Sequence, residues 1–202
     1  MSKIVEVYDD HVWIKWDDEQ LQTEGGIHLP EYSAKLAQYG LVVAIGPGKW
    51  TKQGYFIETK VKVGDRVCFP CGAGYKTQSE GQEYLCMQER DLWARERRID
   101  EPEGFGLLAL WDKIILKRAE PETMIGLIHL PEQAIKKPCR GTALSVGPGL
   151  TNDEGLSTPI DVQVGEGVRF KQYQGMDIEF KGEEYVIISD LDVIVKEEEV
   201  VA

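Results

Sequence analysis

Gly25-Gly26-Ile27-His28-Leu29-Pro30 comes back 101 positions later as Gly126-Leu127-Ile128-His129-Leu130-Pro131. Neither copy suits the interior of a sheet. Glycine loses the most backbone freedom on ordering, and a proline directly after the triplet removes a donor and fixes its own φ. The plainer reading of an isolated Ile-His-Leu is a short strand. The glycines, the proline and the return of the whole stretch favour a loop that offers isoleucine and leucine to something outside the chain.

Working outward, the rest of the chain repeats as well. Asp10-His11-Val12-Trp13-Ile14-Lys15 matches Asp112-Lys113-Ile114-Ile115-Leu116-Lys117 at an offset of 102, and one residue gained or lost then sets the offset to 101. At that spacing Gly46-Pro47-Gly48 meets Gly147-Pro148-Gly149, and Val63-Gly64-Asp65 meets Val164-Gly165-Glu166. Glu83-Tyr84 meets Glu184-Tyr185, and Asp91 meets Asp192. Glycines and turn punctuation stay while side chains drift, as a retained backbone path requires. The 202 residues therefore divide into a first domain, 1–98, a charged connector with Pro and Gly, 99–106, and a second domain, 107–202.

Within each half the apolar period is near two. Val12 and Ile14 alternate with His11, Trp13 and Lys15, and Leu41–Ile45 and Thr142–Val146 both stop at Gly-Pro-Gly. Further strands are expected at 66–69, 84–87, 167–170, 185–188 and 192–195. No segment sustains a 3.6-residue period over three turns. Each half is thus expected to be a small all-β domain, and closure into a barrel is the economical way to remove exposed sheet edges.

Composition narrows the partners. A formal net charge of −12 argues against nucleic acid, whose binders concentrate Lys and Arg on one face. No apolar run approaches the roughly 20 residues needed to cross a bilayer, and residues 1–6 lack an apolar signal core. Of four cysteines, Cys68, Cys71 and Cys86 fall in the first half and Cys139 in the second, and the counterparts of the first three are Arg169, Gln172 and Ile187. That pattern does not call for a zinc site, so no metal is expected and the thiols are expected to be reduced. Trp13, Trp16, Trp93 and Trp111 read as core or inter-domain packing.

The order of these motifs resembles the GroES-type co-chaperonins, the lids of barrel-shaped chaperonins. The resemblance covers nearly the whole chain, once per half, in a tandem form like the chloroplast double co-chaperonins. In the first half it rests on Asp10–Lys15, Gly25–Pro30, Ile45–Gly48 and Val61–Val67, in that order. It implies two irregular β-barrels, each with a mobile loop, 20–37 and 120–137, and a roof hairpin, 49–60 and 150–161. It further implies that Gly25, Gly26, Ile27, His28, Leu29 and Pro30, with Leu127, Ile128, His129, Leu130 and Pro131, form the chaperonin-binding loops. Ile27, Leu29, Ile128 and Leu130 would enter an apolar groove of an ATP- or ADP-bound GroEL-type ring, and unfolded clients would be served indirectly. The implied assembly is a homo-oligomer in a bacterial or phage-infected cytosol, or in an organelle stroma. No cofactor is implied.

Three features depart from the family pattern. The middle residue of the triplet, usually aliphatic, is His28 and His129; alternate residues of an extended loop face opposite ways, so both should point away from the groove. Leu127 stands where a second glycine is expected. The first roof hairpin carries Trp50, Tyr55 and Phe56, whereas the second has polar Thr151-Asn152-Asp153-Glu154. A single loop should bind weakly: burying an isoleucine or leucine contributes about 1.5–3 kcal/mol, against about 1–2 kcal/mol of backbone entropy per ordered residue. Several loops in one assembly bind well. Paired domains, however, sit awkwardly on the seven-fold partner that the family implies.

Two other readings have sequence support. Gly104-Phe105-Gly106-Leu107-Leu108-Ala109 formally fits a dinucleotide fingerprint, but no strand precedes it and no helix follows, and two barrels leave no room for a Rossmann domain. With only His11, His28 and His129 available, no nucleophile, base and acid can be assembled, so no enzyme is expected. The serious alternative is a structural or assembly protein built on the same barrel, or a chaperonin-modulating lid such as a virus might encode; the Ile and Leu of both triplets favour the co-chaperonin.

Overall fold

The computed structural model describes residues 6–17, 37–79, 81–121, 124–125, 128–129, 137–172 and 174–197. Regular structure among them is all β apart from short 3-10 turns. The first sheet holds β1 (His11–Trp16), β2 (Ala37–Ile45), β5 (Arg66–Pro70), β6 (Tyr75–Ser79), β7 (Gln82–Gln88), β8 (Ala94–Glu96) and β9 (Leu107–Ala109), in the order β6-β7-β1-β2-β5-β8-β9. The second holds β10 (Lys113–Arg118), β13 (Arg140–Val146), β16 (Gly167–Phe170), β17 (Met176–Phe180), β18 (Glu183–Ser189) and β19 (Val193–Glu197), in the order β17-β18-β10-β13-β16-β19. Apart from β9 the two orders are the same, strand for strand.

Alternation explains the first core. Val12 and Ile14 of β1 turn inward to meet Val42, Val67, Phe69, Leu85, Met87 and Leu92, so strands from across the sheet order surround one cluster, as a curled, barrel-like sheet requires. Ile114, Leu116, Ala143, Val168, Phe170, Val186 and Ile188 do the same in the second half. β1 slips register between Trp13 and Ile14, and β10 slips at the counterpart step, Ile115 to Leu116. The extra residue sits on the partner strand, Val43 of β2 and Leu144 of β13, and this retained bulge bends that strand around its core.

Period-two reading goes wrong in one informative place. Ile115, expected to face away from the core like Trp13, is fully buried. It belongs to a third cluster between the halves, where Tyr39, Cys68 and Ala94 from the first sheet pack on Ile178, Phe180, Tyr185 and Ile187 from the second. β9 ties the halves further, because Leu107–Ala109 pairs with β8 although it lies beyond the connector. A strand that is outward-facing in one barrel is therefore buried on both faces in the pair.

Alternation does not announce every strand of the two sheets: β6, β8 and β9 carry no clear period-two run, and β17 is not among the strands expected from the sequence. β6 and β17 are the outer arms of hairpins with β7 and β18. Their signal was the turn: Lys181 and Gly182 both have positive φ, 53° and 80°, the geometry of a two-residue hairpin turn. Glu80-Gly81 is the matching dipeptide in the first half.

Candidate functional site

Residues 49–60 and 150–161 form hairpins apart from the main sheets. β3 (Gly48–Trp50) pairs with β4 (Phe56–Glu58), and β14 (Leu150–Thr151) with β15 (Ser157–Thr158). Gly48 and Gly149 start them at φ 124° and 86°, where an added Cβ would overlap the carbonyl oxygens of Ile57 and Thr158. Only glycine permits that close approach, which accounts for the repeated Gly-Pro-Gly.

The three aromatic residues noted from the sequence lie on the first hairpin. Trp50 and Phe56 are cross-strand partners with ring centroids 5.1 Å apart, and Trp50 remains 70 % exposed. Tyr55 reaches the other hairpin: a Cβ built on Gly155 would sit 3.4 Å from its ring. The second tip is held differently, by Asn152 Oδ1 accepting from the backbone N–H groups of Glu154 and Leu156. Leu150 and Leu156 are exposed beside it.

The loop residues are only partly described. Gly25, Gly26, Ile27, His28, Leu29 and Pro30, and likewise Leu127, Leu130 and Pro131, lie outside the described residues. In the second loop the backbone of β11 (Met124–Ile125) pairs with β12 (Ile128–His129), Ile125 opposite Ile128 and Met124 opposite His129, as a separate two-stranded sheet. Ile128 and His129 thus occupy successive positions of an extended strand, on opposite faces.

A network links the first hairpin to the joint between the halves. Glu89, 1 % exposed, accepts from the backbone N–H of Val61 at 2.8 Å and from that of Lys60, where β4 ends. Its own backbone carbonyl accepts from Trp111 Nε1 at 3.0 Å. Lys60 Nζ lies 4.2 Å from the centre of the Trp111 ring. Burial pushes the Glu89 carboxyl above its ordinary range, although the two N–H donors and Lys60 pull it back. Burial also pushes the Lys60 amine down.

The connector is clamped by ion pairs. Arg95 binds Glu101 with two nitrogens, at 2.9 and 2.5 Å, and Arg98 Nε donates to Asp65 at 2.7 Å. The hydrogen bond from Arg95 is the main reason the Glu101 carboxyl falls from 4.5 to about 2. The Gly-Phe-Gly of the connector has a packing role. Phe105 stacks edge-on against Tyr185, centroids 4.9 Å apart, and a Cβ on Gly106 would meet Phe180 at 2.8 Å.

Among the described residues, His11 is half-buried and its Nδ1 lies 3.1 Å from the Tyr8 carbonyl oxygen, and no cluster of three or more His, Cys, Asp or Glu is placed to hold a metal ion. None of the four cysteines is in a disulfide, and Cys68 and Cys86 are buried. Burial raises the Cys68 thiol to about 12. No helix among the described residues is long and apolar enough to cross a membrane.

Comparison with known proteins matches the two halves of the chain separately. The family model for the chaperonin 10 Kd subunit matches residues 4–95 and again residues 107–197. The co-chaperonin GroES of Bifidobacterium animalis subsp. lactis is 49 % identical over 93 residues, covering 45 % of this chain and 94 % of that protein. The chloroplastic 20 kDa chaperonins of Arabidopsis thaliana and Spinacia oleracea are 33 % and 32 % identical over 189 and 187 residues, each covering 92 % of this chain and 72 % of the relative. The repeat, the two matching sheets and these matches agree: the chain belongs to the chaperonin 10 family, as a tandem of two such domains.

Proposed function

We propose that the protein is a co-chaperonin lid that closes a GroEL-type chaperonin ring in a nucleotide-dependent cycle and so assists the folding of enclosed clients. The observation that carries the reading is the doubled family match over 4–95 and 107–197, with Ile-His-Leu-Pro in both halves. The binding elements are Gly25–Pro30 and Leu127–Pro131, with Ile27, Leu29, Ile128 and Leu130 as groove-filling side chains. A doubled loop raises the local concentration of the second hook once the first is seated. The aromatic hairpin of Trp50, Tyr55 and Phe56 and its polar counterpart form the roof, and 1–98, 99–106 and 107–202 act as barrel, connector and barrel. The working form is a homo-oligomer of whole chains.

The test replaces Ile27, Leu29, Ile128 and Leu130 together by serine. The variant is expected to lose co-sedimentation with an ATP-loaded chaperonin while keeping the wild-type thermal unfolding profile. Unchanged co-sedimentation would overturn the proposal.

A further inference from the structure

Side chains tie the mouth of the second loop in a way that the residues of the first half do not allow. Arg118 ends β10 and stands where the chain enters the loop, and Lys137 and Pro138 stand where it leaves. Both arms meet on one carboxylate of a third strand. Asp177 of β17 accepts at Oδ1 from Arg118 Nε, at 3.2 Å, and from Arg118 Nη2, at 2.8 Å, while its Oδ2 accepts from Lys137 Nζ. The remaining guanidinium nitrogen, Nη1, crosses the mouth and donates to the Pro138 carbonyl at 2.6 Å. The guanidinium also lies 5.2 Å from the ring centre of Phe170, whose backbone N–H donates to the Cys139 carbonyl.

One repeat earlier, the places of Arg118, Asp177 and Lys137 are held by Trp16, Lys76 and Leu36. Strand pairing fixes two of these equivalences: Trp16 lies opposite Gly40 as Arg118 lies opposite Gly141, and Lys76 lies opposite Leu85 as Asp177 lies opposite Val186. Lys76 Nζ sits 5.7 Å from the centre of the Trp16 ring, a contact that needs no carboxylate. Both halves do keep a backbone bond across the mouth, from Asp17 N–H to the Tyr39 carbonyl at 3.1 Å and from Ala119 N–H to the Arg140 carbonyl at 3.0 Å. The backbone bond is therefore common to both loops, and the clamp centred on a carboxylate belongs to the second. Arginine suits it, because a planar fork can grip a carboxylate and a carbonyl at once.

We infer that Arg118 and Asp177 are positioning residues for the second hook: by joining the two arms of its loop on β17, they set where Ile128 and Leu130 are presented to the chaperonin ring. The inference rests on the lid reading of the proposed function and deepens it. With the arms tied, the entropy of bringing the loop ends together is lost in folding, and less remains to be lost on docking. Leu127 leaves this loop less backbone freedom than the second glycine of the first. A loop that adapts less depends more on where its arms are held.

The experiment isolates one hook at a time in the full chain. Where the first hook is removed by Ile27→Ser with Leu29→Ser, adding Arg118→Gln or Asp177→Asn is expected to weaken titration against an ATP-loaded ring by at least about threefold, because a loss on the scale of a partly exposed ion pair is repeated around the assembly. Arg118→Lys, which keeps the charge without the fork, should fall between. Where the second hook is removed by Ile128→Ser with Leu130→Ser, the same substitutions should leave binding unchanged, which a general loss of folding would not. Unchanged titration in the first protein, or equal weakening in the second, would overturn the inference. A second readout uses no chaperonin: a Glu-specific protease should cleave the free protein after Glu132 about threefold faster in Asp177→Asn, with cleavage after Glu31 unmoved. Should the wild type bind no ring, the proposed function falls while the clamp is still judged by that cleavage, faster upholding it and unchanged overturning it.

Discussion

Trp111, the first residue past the Leu107–Leu110 stretch, donates its indole N–H to the backbone carbonyl of Glu89 at 3.0 Å, so a side chain of the second half completes the core of the first. The two repeats are covalently serial, but they do not pack as independent beads. The same Glu89 carries the N–H groups of Lys60 and Val61 at the foot of the first roof hairpin. Roof, core and joint therefore share one residue.

Trp111→Ala should lower the stability of the first half by about 3–5 kcal/mol, as large-to-small aromatic substitutions do. Trp111→Phe keeps most of the packing and should cost only about 1–3 kcal/mol, for the acceptor left without its donor. Chemical denaturation followed separately in the two halves checks this, and equal losses for the two variants would remove the packing role.

Glu89→Ala leaves two buried N–H groups without an acceptor and should destabilise by about 1–3 kcal/mol for each group. Glu89→Gln keeps an acceptor and should be milder. The wild-type carboxyl is raised in the fold, so its contribution is complete below the unfolded value and is lost as pH rises through the folded one. The Gln variant lacks that pH dependence, so the stability advantage of wild type over it should widen as pH falls from neutral towards 4.5.

Glu101 runs the other way. Its folded value is lowered to about 2, so its stabilising effect is present above 4.5 and is lost as pH falls towards about 2. Glu101→Gln should therefore remove part of the acid sensitivity of the connector, read as protease cleavage near 97–104 between pH 4.5 and 2. Cleavage with the same pH dependence in both proteins would contradict the assignment.

Replacing one pair of loop residues at a time separates the hooks. Ile27→Ser with Leu29→Ser should weaken chaperonin binding more than Ile128→Ser with Leu130→Ser, because Gly25-Gly26 leaves the first loop freer to fit a groove than Gly126-Leu127, whose neighbours already pair as β11 and β12. Titration of each variant against an ATP-loaded ring measures the order, and equal losses would mean equivalent hooks.

Chain chemistry alone determined the repeat, the all-β class and the positions of most strands, because alternation and turn glycines are local properties. Gly48 and Gly149 were legible as retained punctuation before their contacts with the backbones at Ile57 and Thr158 were seen. Tertiary structure alone decided what happens between the repeats. Ile115, Phe180 and Tyr185 occupy positions that alternation assigns to an outward face or leaves unassigned, yet they are buried, because a second barrel covers that face. The reason is physical: period-two patterning reports burial against a strand's own sheet core, whereas burial against another domain depends on contacts more than a hundred residues apart, such as Tyr39 Oη donating to the Glu179 carbonyl at 2.9 Å.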